Sequence, residues 1–244
     1  MKYLTLSLLP ILCFSCITKS ISDEYWNSAG GPNNDYQLLT NSKSPDYFSL
    51  EKNKNISWTM DLPEGGQSGL AIVGNKIFLS VLEPSTKDKI NKNSTNILAL
   101  CIDAQSRKIL WKHHMKGIFG GPSLYGFSDS STPTPIADKQ HVWFYNASGS
   151  IACLNHAGEL VWEYNWKPID KLDKVKFPFN KQYEPLISDK FIYNVEPYYK
   201  KDGKRKYGWN YLFAYEKLSG KLAWISEDGL TPVSYTHLTL PTIA

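Results

Sequence analysis

Short runs of alternating apolar and polar residues, separated by turn residues, fill most of the chain after residue 50. "GLAIVGNKIFLSVL" (residues 69–82) holds two apolar runs around Gly74-Asn75, which is typical of a β-hairpin. Similar pairs of runs follow in "PTPIADKQHVWFYNASGSIACLN" (133–155) and "EPLISDKFIYNVEPYY" (184–199). Beyond the N-terminal segment, no helical period is sustained over ten residues. The patterning therefore predicts an all-β protein.

Each pair of runs precedes one copy of an eleven-residue motif, which makes the chain internally repetitive. The copies read "CIDAQSRKILW" (101–111), "ACLNHAGELVW" (152–162) and "AYEKLSGKLAW" (214–224), and their tryptophans lie 51 and 62 residues apart. Aligned on tryptophan, the first position holds Cys101, Ala152 and Ala214, and the seventh holds Arg107, Gly158 and Gly220. A unit of four strands in about fifty residues is typical of a β-propeller blade.

The motif has a physical explanation as a hairpin that ends in a docked indole. Gly158 and Gly220 occupy a turn position that requires φ > 0, which glycine adopts without steric cost. Arg107 at the same position should cost about 1 kcal/mol if that backbone is kept. Before the turn, Asp103 and Glu216 can accept hydrogen bonds from turn amides, whereas Leu154 in the aligned position cannot.

The motif resembles the tryptophan-docking sequence of quinoprotein propellers, Ala-x-Asp-x-x-Thr-Gly-x-x-x-Trp. Residues 214–224 match it with Glu for Asp and Ser for Thr. Trp26, "GGPNNDY" (30–36) and "NISWTMDLPEGGQSGLAIVGNKIFL" (55–79) are similar to the beginning of bacterial proteins with pyrroloquinoline-quinone-like (PQQ-like) repeats.

The resemblance spans roughly residues 24–230. It implies that a tryptophan from each unit packs between adjacent blades, together with the small residues beneath it. These residues are Trp111, Trp162, Trp224, Ala152, Ala214, Gly158 and Gly220. Trp58 would end a preceding, incomplete unit. At about fifty residues per unit, residues 51–232 are expected to form about three to four blades of four-stranded antiparallel sheet. Such propellers typically have seven or eight blades, so the expected architecture is a partial propeller.

Both ends of the chain differ from the repeats. "MKYLTLSLLPILCFSC" (1–16) has a Lys and a short apolar run and resembles a bacterial lipoprotein signal, with Cys16 as the lipidated residue; plain cleavage is the alternative. Residues 17–50 suit a tether and lead-in. The last twelve residues, 233–244, resemble translated sequencing adapter, the alternative being a genuine Thr-rich strand. The expected location is the bacterial cell envelope, on the periplasmic or surface side, with membrane contact through the lipid only.

Composition excludes few functions. Lys and Arg number 27 against 23 Asp and Glu, and this small, scattered excess does not indicate nucleic-acid binding. Cys101 and Cys153 fall on successive motif positions, so they are expected on opposite strand faces as two buried small side chains without a disulfide. His113 and His114 should also point to opposite faces and cannot chelate one ion together.

A quinone-dependent dehydrogenase of the resembling family would need an adjacent Cys-Cys pair, a tryptophan floor, a calcium site and a catalytic Asp. No two cysteines are adjacent, and no acidic loop suits calcium. PQQ and calcium are therefore disfavoured, and no catalytic, cofactor or metal residue is predicted. A carboxylate pair for hydrolysis is conceivable among Asp129, Glu184 and Glu196, but solvated loop carboxylates are the favoured interpretation.

Two loops precede the first strands of their units and are expected on one rim. They are "GGPSLYGFSDSSTPTP" (120–135) and "FPFNKQYEP" (177–185), and their candidate binding residues are Tyr125, Phe127, Asp129, Gln182, Tyr183 and Glu184. Aromatic rings among hydroxyl and amide groups suit a sugar or a peptide, and ordinary packed loops are the alternative. "YYKKDGKRKYGWNY" (198–211) predicts a hairpin with a basic tip, either solvated or in contact with an anionic surface.

The favoured function is a non-enzymatic, envelope-anchored propeller that binds a protein or glycan at its rim. The alternative is a quinoprotein-type, PQQ-dependent oxidoreductase whose cofactor residues lie in blades outside this sequence. A polysaccharide hydrolase or lyase is a third possibility with no residue to support it.

Overall fold

The computed structural model describes residues 25–37, 45–86, 95–118, 129–165, 184–198 and 209–226. These ranges contain β-strands and no helix, which confirms the all-β prediction. The strands are β1 (Tyr25–Trp26), β2 (Ala71–Val73), β3 (Lys76–Leu82), β4 (Ile97–Asp103), β5 (Lys108–Met115), β6 (Ile136–Ala137), β7 (His141–Asn146), β8 (Ser150–Asn155), β9 (Leu160–Asn165), β10 (Leu186–Ile187), β11 (Phe191–Tyr198), β12 (Trp209–Glu216) and β13 (Leu222–Ile225).

The strands form three antiparallel sheets in which spatial order follows chain order. Strands β2 to β5 form unit 1, β6 to β9 form unit 2, and β10 to β13 form unit 3. A four-stranded meander repeated three times, with successive sheets packed face to face, is a partial β-propeller. The hairpin predicted at Gly74-Asn75 joins β2 to β3 as expected.

Strand β1 extends the first sheet at the β2 edge, where the sequence pattern predicted only an irregular lead-in. Its residues also reach unit 2, since the Tyr25 hydroxyl donates to the Ala137 carbonyl at 3.1 Å. In return, the Ala137 amide donates to the Asn27 carbonyl at 2.8 Å. Two residues of regular strand therefore tie the first strands of two units together, and so short an element leaves little periodic signal.

In each unit, the fourth strand carries a register shift immediately before its tryptophan. The pairing jumps between Cys101 and Ile102 in unit 1, and equivalent shifts follow in units 2 and 3. The extra residues in the fourth strands are Leu110, Val161 and Ala223. A β-bulge re-aims the next side chain, so the recurring bulge fixes the direction of each indole.

The structure corrects the alignment of the middle motif by one residue. Trp111 pairs with Cys101 and Trp224 with Ala214, but Trp162 pairs with Cys153. Ala152, expected beneath Trp162, instead pairs with Glu163 and belongs to the core between units 1 and 2. The turn of unit 2 is one residue shorter, which an alignment anchored on tryptophan cannot detect.

This shift also changes the reading of the two cysteines. Cys101 and Cys153 occupy equivalent positions opposite a docking tryptophan and do not lie on opposite faces as expected. Both are fully buried and free of disulfides, as predicted. Burial raises the pKa of each thiol to about 12, so both remain protonated small apolar groups at neutral pH. The alignment on tryptophan places Leu154, which cannot accept a hydrogen bond, at the position of Asp103 and Glu216. In the structure that position is held by Asn155, whose Oδ1 accepts from the Ala157 and Glu159 amides.

Two apolar cores hold the units together. Phe78, Cys101 and Met115 of unit 1 pack against Phe144 and Leu154 of unit 2. The second core joins unit 2 to unit 3 and includes Trp143, Tyr145, Cys153, Ile192, Phe213 and Tyr215. The two faces of unit 2 are therefore both covered.

Each junction is completed by a tryptophan of one unit lying over a turn of the next. A Cβ at Gly158 would come within 2.6 Å of the Trp111 ring, and one at Gly220 within 2.6 Å of Trp162. Both glycines have positive φ, at 90° and 67°, as predicted. Arg107 has φ 60°, so unit 1 keeps the same turn with a residue that is strained there.

The far face of unit 1 is covered by the segment that contains Trp58. Trp58 and Met60 pack against Val81, Leu98 and Leu100, on the side opposite the unit 1–unit 2 core. Trp58 thus covers part of the face of unit 1 that points away from unit 2.

Candidate functional site

The segments that precede the first strands of the three units lie side by side and form a rim. They comprise residues 64–69, 129–135 and 184–185. Each segment reaches the next through direct hydrogen bonds or close packing, as described below. Of the two loops expected on one rim, the described ends contact each other where the Thr134 amide donates to Glu184.

Two glycines in unit 1 permit the close approach of unit 2. A Cβ at Gly66 would lie 2.8 Å from the Ser131 hydroxyl, and one at Gly69 would collide with the Thr134 side chain. The Gln67 amide donates to Ser131 Oγ at 2.9 Å. Unit 1 therefore presents bare backbone at the rim, against which the hydroxyl groups of unit 2 pack.

Asp129 organises the unit 2 segment. Its Oδ1 accepts from the Ser131 amide at 2.8 Å and from the Ser131 hydroxyl at 2.6 Å. Its own amide donates to Gln67 Oε1 at 3.0 Å. The Thr132 hydroxyl donates to the Asp129 carbonyl at 2.7 Å. These bonds fix the start of the segment in one conformation and anchor it to unit 1.

Glu184 brings unit 3 to the same place. One of its carboxylate oxygens, Oε2, accepts from the Thr134 amide at 2.8 Å. Burial raises the pKa of Glu184, and the hydrogen bonds from Thr134 offset only part of that effect. A partly desolvated carboxyl therefore lies where the three segments meet.

A layer of buried polar groups supports the rim from below. Ser130 and Ser148 share a hydrogen bond of 2.7 Å between their hydroxyls, and both side chains are buried. The Asn146 side-chain amide donates to the carbonyls of Thr95 and Met115 at 2.9 and 3.1 Å. Because the Asn146 bonds cross from unit 2 to unit 1, the rim backbone is held by polar contacts as well as by the apolar cores.

The rim segments have a distinct chemistry. They contain three carboxylates, Glu64, Asp129 and Glu184, several hydroxyls and no lysine or arginine. Because Ser130, Ser131 and Thr134 are buried, such a surface offers mainly carboxylate acceptors to a neutral or cationic group.

Sequence reasoning identified only part of this site. Asp129 and Glu184 are at the rim, joined through the stretch from Ser131 to Thr134 and not to each other. The other predicted rim residues, Tyr125, Phe127, Gln182 and Tyr183, lie outside the described residues. Gln67 and Thr134 were missed, although "EGGQSG" (64–69) precedes a first strand as the two longer loops do.

The described residues hold no cluster that suggests metal chemistry. No group of three or more His, Cys, Asp or Glu within them is arranged to hold an ion. His113 and His114 do diverge, as predicted: His113 Nε2 lies 3.4 Å from Glu163, and His114 Nδ1 lies 2.9 Å from Glu83. Glu83 is also the acceptor for the Asn96 side chain at 2.7 Å, which makes it part of a structural network.

Several expectations concern parts of the chain that are not described. Cys16 and the signal segment, the basic tip within 198–211 and the tail 233–244 all fall wholly or mostly there. Among the residues that are described, none belongs to a helix able to cross a lipid bilayer.

Similarity to known proteins is confined to solved structures. No protein-family model matches the chain, and no curated protein matches it. Among solved structures, BamB from Moraxella catarrhalis is 15% identical with a TM-score of 0.43, covering 71% of this chain and 44% of that one. A quinohemoprotein alcohol dehydrogenase, ADHIIG from Pseudomonas putida HK5, is 14% identical with a TM-score of 0.42, covering 68% and 21% respectively. The chain spans less than half the length of either protein.

Proposed function

We propose that this chain is part of a non-enzymatic β-propeller that binds a protein or glycan partner at its rim. The observation that supports this proposal is the convergence of three rim segments on Thr134, whose amide donates to Glu184 and whose side chain packs against Gly69. A surface assembled from several units and held by buried bonds is preorganised, which lowers the entropic cost of binding.

Anchoring to the cell envelope belongs to the same proposal. It is supported by the signal-like sequence ending at Cys16 and by the polar residues 17–24 that follow it. A tethered propeller would hold its rim within reach of partners at the membrane surface, with the membrane contacted through the lipid alone.

The rim chemistry favours a partner that donates hydrogen bonds. Sugar hydroxyls or the amides and amines of a peptide could pair with the carboxylates of Glu64, Asp129 and Glu184. Oxidoreductase chemistry of the quinoprotein type has no comparable support, since the 244 residues contain no adjacent cysteine pair and the described ones suggest no metal site.

Site-specific photocrosslinking in bacterial cells expressing the protein tests the proposal. A photoreactive residue at Glu64 or Thr132 should capture one common partner, because both positions are accessible at the rim. The matched control is Asp189, an exposed position at the β10–β11 turn. A parallel glycan array with purified protein covers the carbohydrate partner.

The expected result is a partner captured from both rim positions and not from Asp189, or array binding that weakens at least several-fold in Asp129→Asn/Glu184→Gln. Identical capture from Asp189, together with a blank array, would remove the rim as the binding site.

A further inference from the structure

Strand β1 fixes the end of the molecule at which the N-terminal segment leaves. Strand β2 runs from the rim segment that ends at Gly69 to the turn at Gly74-Asn75, and β1 pairs with β2 in the antiparallel direction. Tyr25, the first residue of β1, lies opposite Val73, immediately before that turn. Because antiparallel neighbours run in opposite directions, the chain before Tyr25 leaves at the turn end of the sheet and not at the rim end.

Turns from all three units lie at this end and form a second surface, the turn face. It comprises residues 74–75, 104–107, 138–140, 156–159, 188–190 and 217–221. In each unit, the turn after the third strand donates an amide hydrogen bond to the turn after the first. These bonds join Ala104 to Asn75 at 2.8 Å, His156 to Gln140 at 3.2 Å, and Lys217 to Lys190 at 3.0 Å. The rim segments precede the first strands, so the turn face and the rim lie at opposite ends of the sheets.

The point of exit is held by two units. The Tyr25 hydroxyl donates to the Ala137 carbonyl at 3.1 Å, and the Ala137 amide donates to the Asn27 carbonyl at 2.8 Å. Ala137 is the last residue of β6 and immediately precedes a turn of unit 2. The N-terminal segment therefore emerges beside the turns of units 1 and 2, in a position fixed by hydrogen bonds to both.

The connection from the proposed anchor to this exit is short compared with the depth of the sheets. Cys16 and Tyr25 are nine residues apart, and such a connection spans about 30 Å when fully extended and about 17 Å as a relaxed coil. Strand β3, with seven residues, covers about 23 Å between the turn face and the rim. To lay the rim on the bilayer, the connection would have to cover this depth and also pass around a sheet. A relaxed connection keeps the turn face toward the bilayer.

We propose that the rim faces away from the bilayer that holds the anchor, so that its partner approaches from outside that bilayer and is not an integral membrane protein beside the anchor. The inference rests on the proposed function, from which it takes the anchor at Cys16 and the binding role of the rim. It adds the direction from which the partner arrives.

Energy transfer to labelled lipids tests this orientation. The chain from Cys16 onward is coupled through the Cys16 thiol to maleimide lipid in phosphatidylcholine vesicles whose headgroups carry an energy acceptor. Cys101 and Cys153 are buried and have thiol pKa values of about 12, so only Cys16 reacts at neutral pH. A fluorescent amino acid replaces Asp189 on the turn face or Glu64 on the rim, both of which are exposed. Transfer from position 189 should be several-fold more efficient than transfer from position 64.

A longer connection is the matched control. Insertion of about twenty-four Gly and Ser residues between Ser22 and Asp23 raises the relaxed span to about 30 Å and leaves the described residues unchanged. The propeller can then turn over on the vesicle, so transfer from the two positions should become similar.

Equal transfer from the two positions with the natural connection, or greater transfer from position 64, would overturn the inference. An orientation that persists with the long connection would also overturn it, because a surface contact and not the length of the connection would then set the orientation. The vesicles contain no partner, and coupling replaces the natural lipid. Failure to capture a partner by photocrosslinking at the rim would therefore count against the proposed function and leave the orientation on vesicles unaffected.

Discussion

At the turns beneath the docked tryptophans, the presence of a Cβ atom decides whether a residue other than glycine is tolerated. Gly158 and Gly220 combine positive φ with an indole against the position of the missing Cβ. Gly74 also has positive φ, at 57°, but nothing lies within 4 Å of its Cβ position. The three glycines therefore separate backbone strain from steric overlap.

Gly158→Ala and Gly220→Ala should each destabilise the protein more than Gly74→Ala does. Left-handed backbone costs about 1 kcal/mol at all three sites, and displacing an indole adds about 2 kcal/mol at the first two. Urea denaturation followed by tryptophan fluorescence measures the difference, with Gly74→Ala as the matched control. Equal losses at the three positions would show that the indoles do not pack on these turns.

His156 makes the junction between units 1 and 2 sensitive to acid. Its carbonyl accepts the Trp111 indole N–H at 3.2 Å, and its ring lies 5.0 Å from that of Phe78. Burial lowers the pKa of His156 in the folded protein; the backbone of His141 and the charge of Asp138 oppose this effect in part, and the charge of Lys76 adds to it. As the pH falls below the usual pKa of histidine, the unfolded chain binds a proton more readily than the folded protein does. The free energy of unfolding therefore decreases as the pH falls.

His156→Phe should flatten the loss of stability between pH 7 and pH 5. Phenylalanine keeps the ring contact and the main-chain carbonyl but cannot titrate. Denaturant midpoints at several pH values measure the effect, and a variant with the same pH slope as the parent would contradict it. His114→Gln is the control, because that side chain is 65% exposed.

At the scale of elements, the unit 1–unit 2 and unit 2–unit 3 junctions have the same geometry but different polar side chains. At both, a tryptophan N–H donates to a carbonyl in the turn of the next unit. Lys217 accepts the indole N–H groups of Trp143 and Trp162 at its carbonyl, at 3.1 and 2.9 Å. Its ammonium lies 2.8 Å from Asp138 and over the Trp143 ring. Burial works against the ionised form of Asp138, but hydrogen bonds from Lys217 and two backbone amides outweigh it and the pKa is lowered. At the unit 2–unit 3 junction, Lys217 therefore takes the place that His156 has at the unit 1–unit 2 junction, and it brings an ion pair with Asp138.

Trp162→Ala should cost more stability than Trp224→Ala. Trp162 packs on the Gly220 turn and the second core, and removing such an indole typically costs about 3 to 5 kcal/mol. Trp224 is 42% exposed and its ring contacts that of Tyr193, so its removal should cost about 1 to 2 kcal/mol. Chemical denaturation of both variants measures this, and a larger loss for Trp224→Ala would contradict the assigned packing.

At the scale of the whole molecule, the units are not equivalently protected. Unit 2 has cores on both faces, and nearly all residues of β7 and β8 are buried. Unit 3 has one core among the described residues. Stability in a repeat array is the sum of each unit and its interfaces, so an inner unit gains two interface contributions.

Amides of β8 should therefore exchange more slowly than amides of β11. Native-state hydrogen–deuterium exchange on the full chain compares the two strands directly, with Gly220→Ala as a variant that weakens the interface between units 2 and 3. Faster exchange in β8 than in β11 would show that stability does not follow the number of covered faces.

The sequence by itself determined the number of strands per unit, the three tryptophan positions and the left-handed turns. These features depend on local alternation, on turn residues and on spacing, all of which are visible within one unit. Arg107 illustrates the strength of the repeat, since it keeps φ 60° without being glycine.

Only the tertiary structure decided how the units fit together. The one-residue shift that places Cys153 opposite Trp162, the attachment of β1, and the bond from Thr134 to Glu184 depend on contacts between residues far apart in the chain. No local pattern encodes them, because each depends on the position of a neighbouring unit. The rim exists as a surface only after three such units have packed face to face.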